Sequence, residues 1–208
     1  MSIRKQYDSD LEALRTALVE MGQNAAEAVE NALEALCTAD TAAAQKIVQG
    51  DDRINNMERD IEHRYMALLL RQQPVAGDLR HISTAMKVVT DIERMGDHAS
   101  ERDPAVSQAI AMGHKAYQMI IDAMDALTAE DEIAARRVIA ADDAVDYDFN
   151  AIKHTLAQEI AADPAKVDAA LDLLMVIKYL ERIGDHAVNV AEWVQFVRTG
   201  RYKDESMF

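Results

Sequence analysis

Apolar residues recur every three or four positions along almost the whole chain. Three such stripes occupy residues 11–36, 47–68 and 79–99, and three more follow within residues 117–194. This spacing is typical of the buried face of an α-helix. Only seven glycines and three prolines interrupt 208 residues, fewer turn-forming residues than a sheet-rich fold requires. The pattern therefore predicts an all-α protein with six helices, several of them about 40 to 50 Å long.

Helix-breaking and helix-capping residues lie between the stripes. Asp103 and Asp163 each precede a proline, and an aspartate followed by proline suits the first turn of a helix. The other breaks carry Thr38, Asp40, Pro74, Gly77 and Thr128. We expect helices to begin and end at these positions.

The second half of the chain repeats the first. Residues 36–52 read LCTADTAAAQKIVQGDD, and residues 127–143, 91 positions later, read LTAEDEIAARRVIAADD. Residues 91–99 (DIERMGDHA) and 179–187 (YLERIGDHA) match at an offset of 88. We therefore predict a six-helix bundle made of two pseudo-symmetric three-helix repeats. The predicted repeats are residues 1–102 and 103–208.

The charge balance restricts the possible partners. The chain has 22 Lys and Arg against 37 Asp and Glu, a formal net charge of −15. Such a field repels phosphate backbones and anionic lipid, so we expect no nucleic-acid partner and no direct membrane insertion. Cys37 is the single cysteine, and no N-terminal stretch resembles a signal peptide. These features indicate a cytoplasmic protein that attracts cations and basic protein surfaces.

Pairs of carboxylates occur at matching positions of the two repeats. Glu93 and Asp97 are four residues apart on the third predicted helix, and Glu181 and Asp185 are their copies on the sixth. Side chains at this spacing share a helix face and lie close enough to bind one cation. Each of these carboxylates directly follows an apolar-stripe residue, so we expect it to flank the buried seam.

Further carboxylates are expected at the same level. A turn near residue 164 places Glu181 and Asp185 opposite Asp146 and Asp142 of the fifth predicted helix. Asp142, like Asp51 in the first repeat, stands where the apolar stripe calls for an inward residue. A carboxylate facing the core is costly unless it is paired or bound to metal. We therefore predict one cation-binding cluster in each repeat, with Asn55 completing the first.

Two other interpretations stay open. The carboxylates could form a solvated face paired with Arg94 and Arg182, which would leave a plain helical scaffold. Alternatively, the chain could be a carboxylate metalloenzyme on a helical bundle. No Gly-rich phosphate loop, no GxSxG motif and none of the Glu-x-x-His pairs of di-iron bundles occur in the sequence, which favours a non-enzymatic protein. All-oxygen ligands suit Mg, Ca, Mn or Fe, whereas Zn usually takes His or Cys.

Two stretches resemble the signatures of a known family. QQPVAGDLR (72–80) followed by KVVTDIERMGDHA (87–99), and later KYLERIGDHAVNVAEWV (178–194), are similar to those of the PhoU family of phosphate-uptake regulators. The resemblance extends from about residue 5 to residue 200. It implies a cytoplasmic six-helix bundle of two repeats, often dimeric, that regulates rather than catalyses.

The resemblance also implies metal sites and partners. It implies that divalent or trivalent metal ions, with Mg, Mn, Fe and Zn as the candidates, are bound by E(D)xxxD motifs, which fall here on Glu93/Asp97, Glu181/Asp185 and Asp142/Asp146. The fourth copy departs from the pattern because Asn55 replaces the second acid after Asp51. The implied role is negative regulation of phosphate uptake and of the phosphate-starvation response. The implied partners are the ATPase of a phosphate ABC transporter, a sensor histidine kinase and a second copy of the chain.

Overall fold

Long α-helices make up nearly all of the chain that the structure describes. A computed structural model describes residues 3–38, 41–71, 107–202 and 205–206, with side chains described for residues 8–35, 53–68 and 108–200. The helices are α1 (Ile3–Thr38), α2 (Thr41–Arg71), α3 (Ser107–Ala129), α4 (Glu132–Ala162) and α5 (Val167–Thr199). A 3-10 turn, Pro164–Lys166, joins α4 to α5. The all-α prediction is confirmed, and the third predicted helix lies outside the described residues.

A small hairpin follows α5 and was not expected from the sequence. Its strands are β1 (Arg201–Tyr202) and β2 (Glu205–Ser206), which pair antiparallel with Arg201 opposite Ser206. Gly200 ends α5 in the left-handed conformation with a φ of 72°, which a glycine adopts without steric cost. The turn at Gly200 thus directs the chain out of the helix and into the hairpin.

The predicted caps were right at one break and wrong at another. The Asp163 side chain accepts a hydrogen bond of 3.1 Å from the Ala165 amide, as expected for a cap before proline. Thr128 was predicted to cap the following helix, but it lies inside α3 and its hydroxyl donates to the Met124 carbonyl. Asp131 caps α4 instead, since its carboxylate accepts from the amides of Ile133 and Ala134 at 2.8 and 3.1 Å.

The core forms where the apolar stripes of the helices meet. Helices α3, α4 and α5 pack against one another, and α1 packs against both α2 and α3. Small side chains let α3 approach its neighbours closely, because Ala109, Ala116 and Ala123 are fully buried. The largest fully buried side chains are Leu14, Met21, Val29, Ile61, Met112, Ile120, Ile177, Ile183 and Phe196.

Two glycines make the contact between α1 and α3 a close one. An ideal Cβ at Gly22 would lie 2.1 Å from the Met124 Sδ, and one at Gly113 would lie 2.3 Å from the Leu33 Cδ2. Each helix thus receives a large side chain of the other at a position that has none. Arg15 adds a polar contact, because its guanidinium donates to the carbonyls of the last turn of α3 and pairs with Glu130 at 3.0 Å.

The helices are amphipathic rather than apolar throughout. None of the described helices is apolar over a length that could cross a bilayer. Their charged and polar residues alternate with the buried stripe, as the sequence pattern predicts.

Candidate functional site

The antiparallel pairing of α4 and α5 places the carboxylates of the second predicted cluster on two facing helices. The Lys178 Nζ lies 5.5 Å from the centre of the Phe149 ring, so these two residues are at the same level. Gly184 lies directly against Asp142, because an ideal Cβ on Gly184 would be 2.9 Å from the Asp142 Oδ1. The predicted register of the two helices is therefore confirmed.

Asp142 is the most constrained carboxylate of this cluster. Its Oδ1 atom is buried and has no hydrogen-bond partner among the described residues. Burial, together with neighbouring negative charge, raises the pKa of Asp142 from 3.8 to about 6. The charges that contribute most after burial are those of Asp146, Asp185 and Glu181, in that order, and so all three lie close enough to act on the Asp142 carboxyl.

Asp185 experiences a similar environment from the facing helix. Burial raises the pKa of Asp185 above the ordinary value, and the charge of Glu181 adds to this effect. Lys178 and His186 act in the opposite direction and lower the pKa of Asp185. His186 is itself buried, with 7% of its surface exposed.

Gly184 allows the two helices to approach at this cluster. A glycine inside a helix costs about 1 kcal/mol relative to alanine, so its presence in α5 requires a packing or ligand-binding reason. Here the missing side chain leaves room for the Asp142 carboxylate, and the next nearest atoms are the Val145 Cγ1 at 3.6 Å and the Met119 Cε at 3.7 Å. The buried oxygen of Asp142 is thus placed against the backbone of α5.

Lys178 contacts the cluster in a way that was not predicted from the sequence. Its ammonium forms an ion pair with the Glu181 Oε2, one turn further along α5. The same ammonium lies over the Phe149 ring, which also receives the Lys153 Nζ at 5.1 Å from its centre. The Lys153 ammonium, in contrast, donates to the Asn150 Oδ1 at 2.9 Å. The spacing of Lys178 from Glu181 is the sequence signal that could have revealed this pair.

The carboxylates of the second cluster are the kind of ligands that a hard cation prefers, although they do not all point to one position. Asp142, Asp146, Glu181 and Asp185 supply only carboxylate oxygens, the atoms that Mg, Ca and Mn prefer. The buried Oδ1 of Asp142 is an acceptor that a cation could satisfy. Over the described residues, no three Asp, Glu, His or Cys side chains are already positioned to hold a metal ion. Metal binding at this cluster would therefore require side-chain rotation.

The predicted cluster of the first repeat lies largely outside the described residues. Glu93 and Asp97 fall in the segment 72–106, of which the structure describes nothing. Asp51 lies in α2, but the structure does not describe its side chain. Asn55 lies in the same helix and is partly buried. The first cluster stays a prediction.

A family model for the PhoU domain matches the chain twice, over residues 18–101 and 110–194. The chain belongs to the PhoU family. The two matched stretches each include one of the carboxylate pairs, Glu93/Asp97 and Glu181/Asp185.

Relatives of similar length carry the same family name. A protein of Clostridium acetobutylicum named phosphate-specific transport system accessory protein PhoU homolog is 37% identical over 214 residues, covering 97% of this chain and 98% of that protein. A protein of Pseudomonas aeruginosa with the same name is 34% identical, covering 95% of this chain and 87% of that protein. These names describe an accessory protein and mention no catalytic activity.

Solved structures of PhoU proteins share the fold. The crystal structure of PhoU from Pseudomonas aeruginosa superimposes with a TM-score of 0.89 at 33% identity, covering 94% of this chain and all of that chain. The phosphate transport system regulatory protein PhoU from Streptococcus pneumoniae gives a TM-score of 0.88 at 27% identity, covering 95% of this chain and 99% of that chain.

Proposed function

We propose that this chain is a negative regulator of phosphate uptake and of the phosphate-starvation response. The observation that carries this proposal is the double match to the PhoU domain, which together spans most of the chain. The names of the Clostridium and Pseudomonas relatives, accessory proteins of a phosphate-specific transport system, support the same role. The chain would act by binding partners and would catalyse no reaction itself.

The proposed partners are the ATPase of a phosphate ABC transporter and a sensor histidine kinase, both reached in the cytoplasm. A net charge of −15 favours docking on basic protein surfaces, because complementary charge speeds encounter and suppresses wrong partners. We also propose a homodimer, as the family resemblance implies. The proposed domain units are the two repeats, residues 1–102 and 103–208.

The proposed cofactor is a divalent or trivalent metal ion held by the second cluster. Asp142 and Asp146 of α4 would bind it together with Glu181 and Asp185 of α5. A metal ion bound there would supply positive charge to four mutually repelling carboxylates and link α4 to α5. The support is the buried Oδ1 of Asp142, which no described residue satisfies, and the raised pKa of Asp142 and Asp185. By the repeat, Glu93, Asp97 and Asp51 would form a second site.

The regulatory proposal is tested by complementation. In a bacterium that lacks its own PhoU-family protein, expression of this chain should restore low transcription of the phosphate-transporter genes at high phosphate. The comparison is the same strain carrying an empty vector, with the level of folded protein checked in the complemented strain. Transcription that stays high although the protein accumulates would contradict the proposal.

The metal proposal is tested on the purified chain after treatment with a chelator. We expect a calorimetric titration with Mn²⁺ to show binding, and elemental analysis to show bound metal. The triple variant Asp142→Asn, Glu181→Gln, Asp185→Asn should lose the metal of the second cluster while keeping its helical content. A control with equal charge loss away from the cluster is Asp122→Asn, Asp125→Asn, Asp172→Asn. Equal Mn²⁺ binding by the two variants would overturn this site.

A further inference from the structure

Lys178 already supplies a positive charge to the second cluster. Its ammonium pairs with the Glu181 Oε2, and the Glu181 side chain is only 15% exposed. An ion pair between partly buried groups is stronger than one on the open surface, where exchange with water and salt weakens it. A metal ion that takes the Glu181 Oε2 would therefore compete with this ammonium.

The surroundings of Lys178 offer a place for the displaced ammonium. The Phe149 ring lies 5.5 Å from the Lys178 Nζ, and a cation over an aromatic face is attracted by the ring quadrupole. The Lys178 side chain is 45% exposed, so its ammonium can also reach water without moving the helix. Displacement thus needs only side-chain rotation, which is rapid compared with helix motion.

We propose that Lys178 is a tethered competitor of the metal ion, which sets the cation concentration at which the second cluster fills. This inference rests on the proposed metal binding. Without metal, the ammonium offsets part of the carboxylate repulsion and holds Glu181. With metal bound, the ammonium loses its pair with Glu181 and either stays over the Phe149 ring or turns to solvent. The affinity of the site is lower than the four carboxylates alone would give, so a higher free metal concentration is needed to fill it.

The test compares Mn²⁺ binding by calorimetry in four chelator-treated proteins, the wild type and three variants. Lys178→Met keeps the aliphatic stem over Phe149 and removes the charge, and we expect its Mn²⁺ affinity to rise about five- to tenfold. Lys178→Arg keeps the positive charge and should bind with nearly wild-type affinity. The matched control is Lys153→Met, which removes the other ammonium over Phe149 but leaves the Glu181 pair intact, and its Mn²⁺ affinity should not change.

A second readout is the rise in thermal unfolding temperature that Mn²⁺ produces. Because binding to the folded state raises this temperature, the Mn²⁺-induced rise should be larger in Lys178→Met than in the wild type. Metal binding by the wild type with equal or lower affinity in Lys178→Met would overturn the competition and leave the proposed metal site standing. An equally large rise in affinity in Lys153→Met would show that the loss of any nearby positive charge has this effect. That result would also overturn the proposed competition by Lys178.

Failure of the metal proposal gives a different result. If neither the wild type nor Lys178→Met binds Mn²⁺, the metal site and the competition both fall. If Lys178→Met binds Mn²⁺ and the wild type does not, the competition is supported in its strongest form, and wild-type metal binding is refuted at the concentrations used.

Discussion

At the scale of single residues, ionisation of the Asp142 carboxyl lowers the stability of the folded protein. Its pKa in the folded protein, about 6, lies above the ordinary 3.8, so the folded state holds the proton more tightly than the unfolded chain does. A group with a raised acid pKa contributes stability at low pH, and this contribution is lost as the pH rises from about 4 to about 6. Well above pH 6 the carboxyl is ionised in both the folded and the unfolded state, so the loss of folding free energy no longer changes with pH.

Replacing Asp142 by Asn should therefore stabilise the metal-free protein at neutral pH. We expect a gain on the order of 1–2 kcal/mol at pH 7, less than the full pKa shift would give because water screens the partly exposed carboxyl. The gain should disappear at pH 4, where the carboxyl is protonated in the folded state. Thermal unfolding at both pH values in the presence of a chelator measures this difference.

The control for this prediction is Asp143→Asn. This aspartate is one position away and exposed, and its charge raises the pKa of Asp142 less than burial and the charges of Asp146, Asp185 and Glu181 do. Its replacement should therefore give a clearly smaller gain at pH 7. An Asp142→Asn protein that is less stable than the wild type at pH 7 would refute the proposed cost of ionising Asp142.

The close contact at Gly184 leads to a second prediction at this scale. A methyl group in Gly184→Ala would push the Asp142 carboxylate aside, because only 2.9 Å would separate the added Cβ from the Asp142 Oδ1. Alanine also favours the helix by about 1 kcal/mol, and the carboxylate is a movable group, so the net stability should change by less than about 1 kcal/mol. Mn²⁺ affinity, measured by calorimetry, should fall about tenfold because the buried oxygen is displaced. Unchanged affinity would remove Gly184 from the site.

At the scale of elements, the start of α4 depends on one side chain. Asp131 accepts hydrogen bonds from two amides of the first turn, and its charge also complements the positive end of the helix dipole. Asp131→Ala should lower the free energy of unfolding by about 1 kcal/mol, measured by urea denaturation. Asp131→Asn keeps the acceptor and should lose less than half as much. Equal losses in both variants would assign the effect to charge alone.

The pairing of α4 with α5 was predictable because the turn between them is encoded locally. Asp163 and Pro164 fix the position of the turn, and the antiparallel register then follows for every level of the two helices. The facing positions of the second cluster were therefore predictable from residue numbers alone. The start of α4 was less predictable, since Thr128 and Asp131 are both suitable caps and only the length of α3 decides between them.

At the scale of the whole molecule, α1 joins the second half of the chain through the α1–α3 contact. The apolar stripes predict that α1 and α3 bury one face, but the stripes carry no information about which helix covers which. Gly22 and Gly113 were not predicted as contact points, because a glycine signals a close approach without naming the side chain that fills the space. The contacts of Arg15 were not predicted either, because its acceptors are backbone carbonyls 112 and 113 residues away in the sequence.

A double-mutant cycle tests this contact. Gly113→Ala should cost about 1–3 kcal/mol, because the added methyl group overlaps the Leu33 Cδ2. In a Leu33→Ala background the same change should be neutral or stabilising, since the overlap is gone and alanine favours the helix. Urea unfolding of the four proteins should give a coupling energy of at least about 1 kcal/mol. Additive effects of the two changes would show that Leu33 does not fill the space at Gly113.

The interlocked glycines also determine how the two halves of the protein can move. A slide of α1 along α3 by one helical turn, about 5.4 Å, would bring Met124 and Leu33 out of the spaces at Gly22 and Gly113 and onto ordinary side chains. Shear is therefore blocked at this contact. A rearrangement that a partner imposes on the α1–α3 pair would have to be a hinge opening, in which the helices separate with both side chains leaving their spaces together.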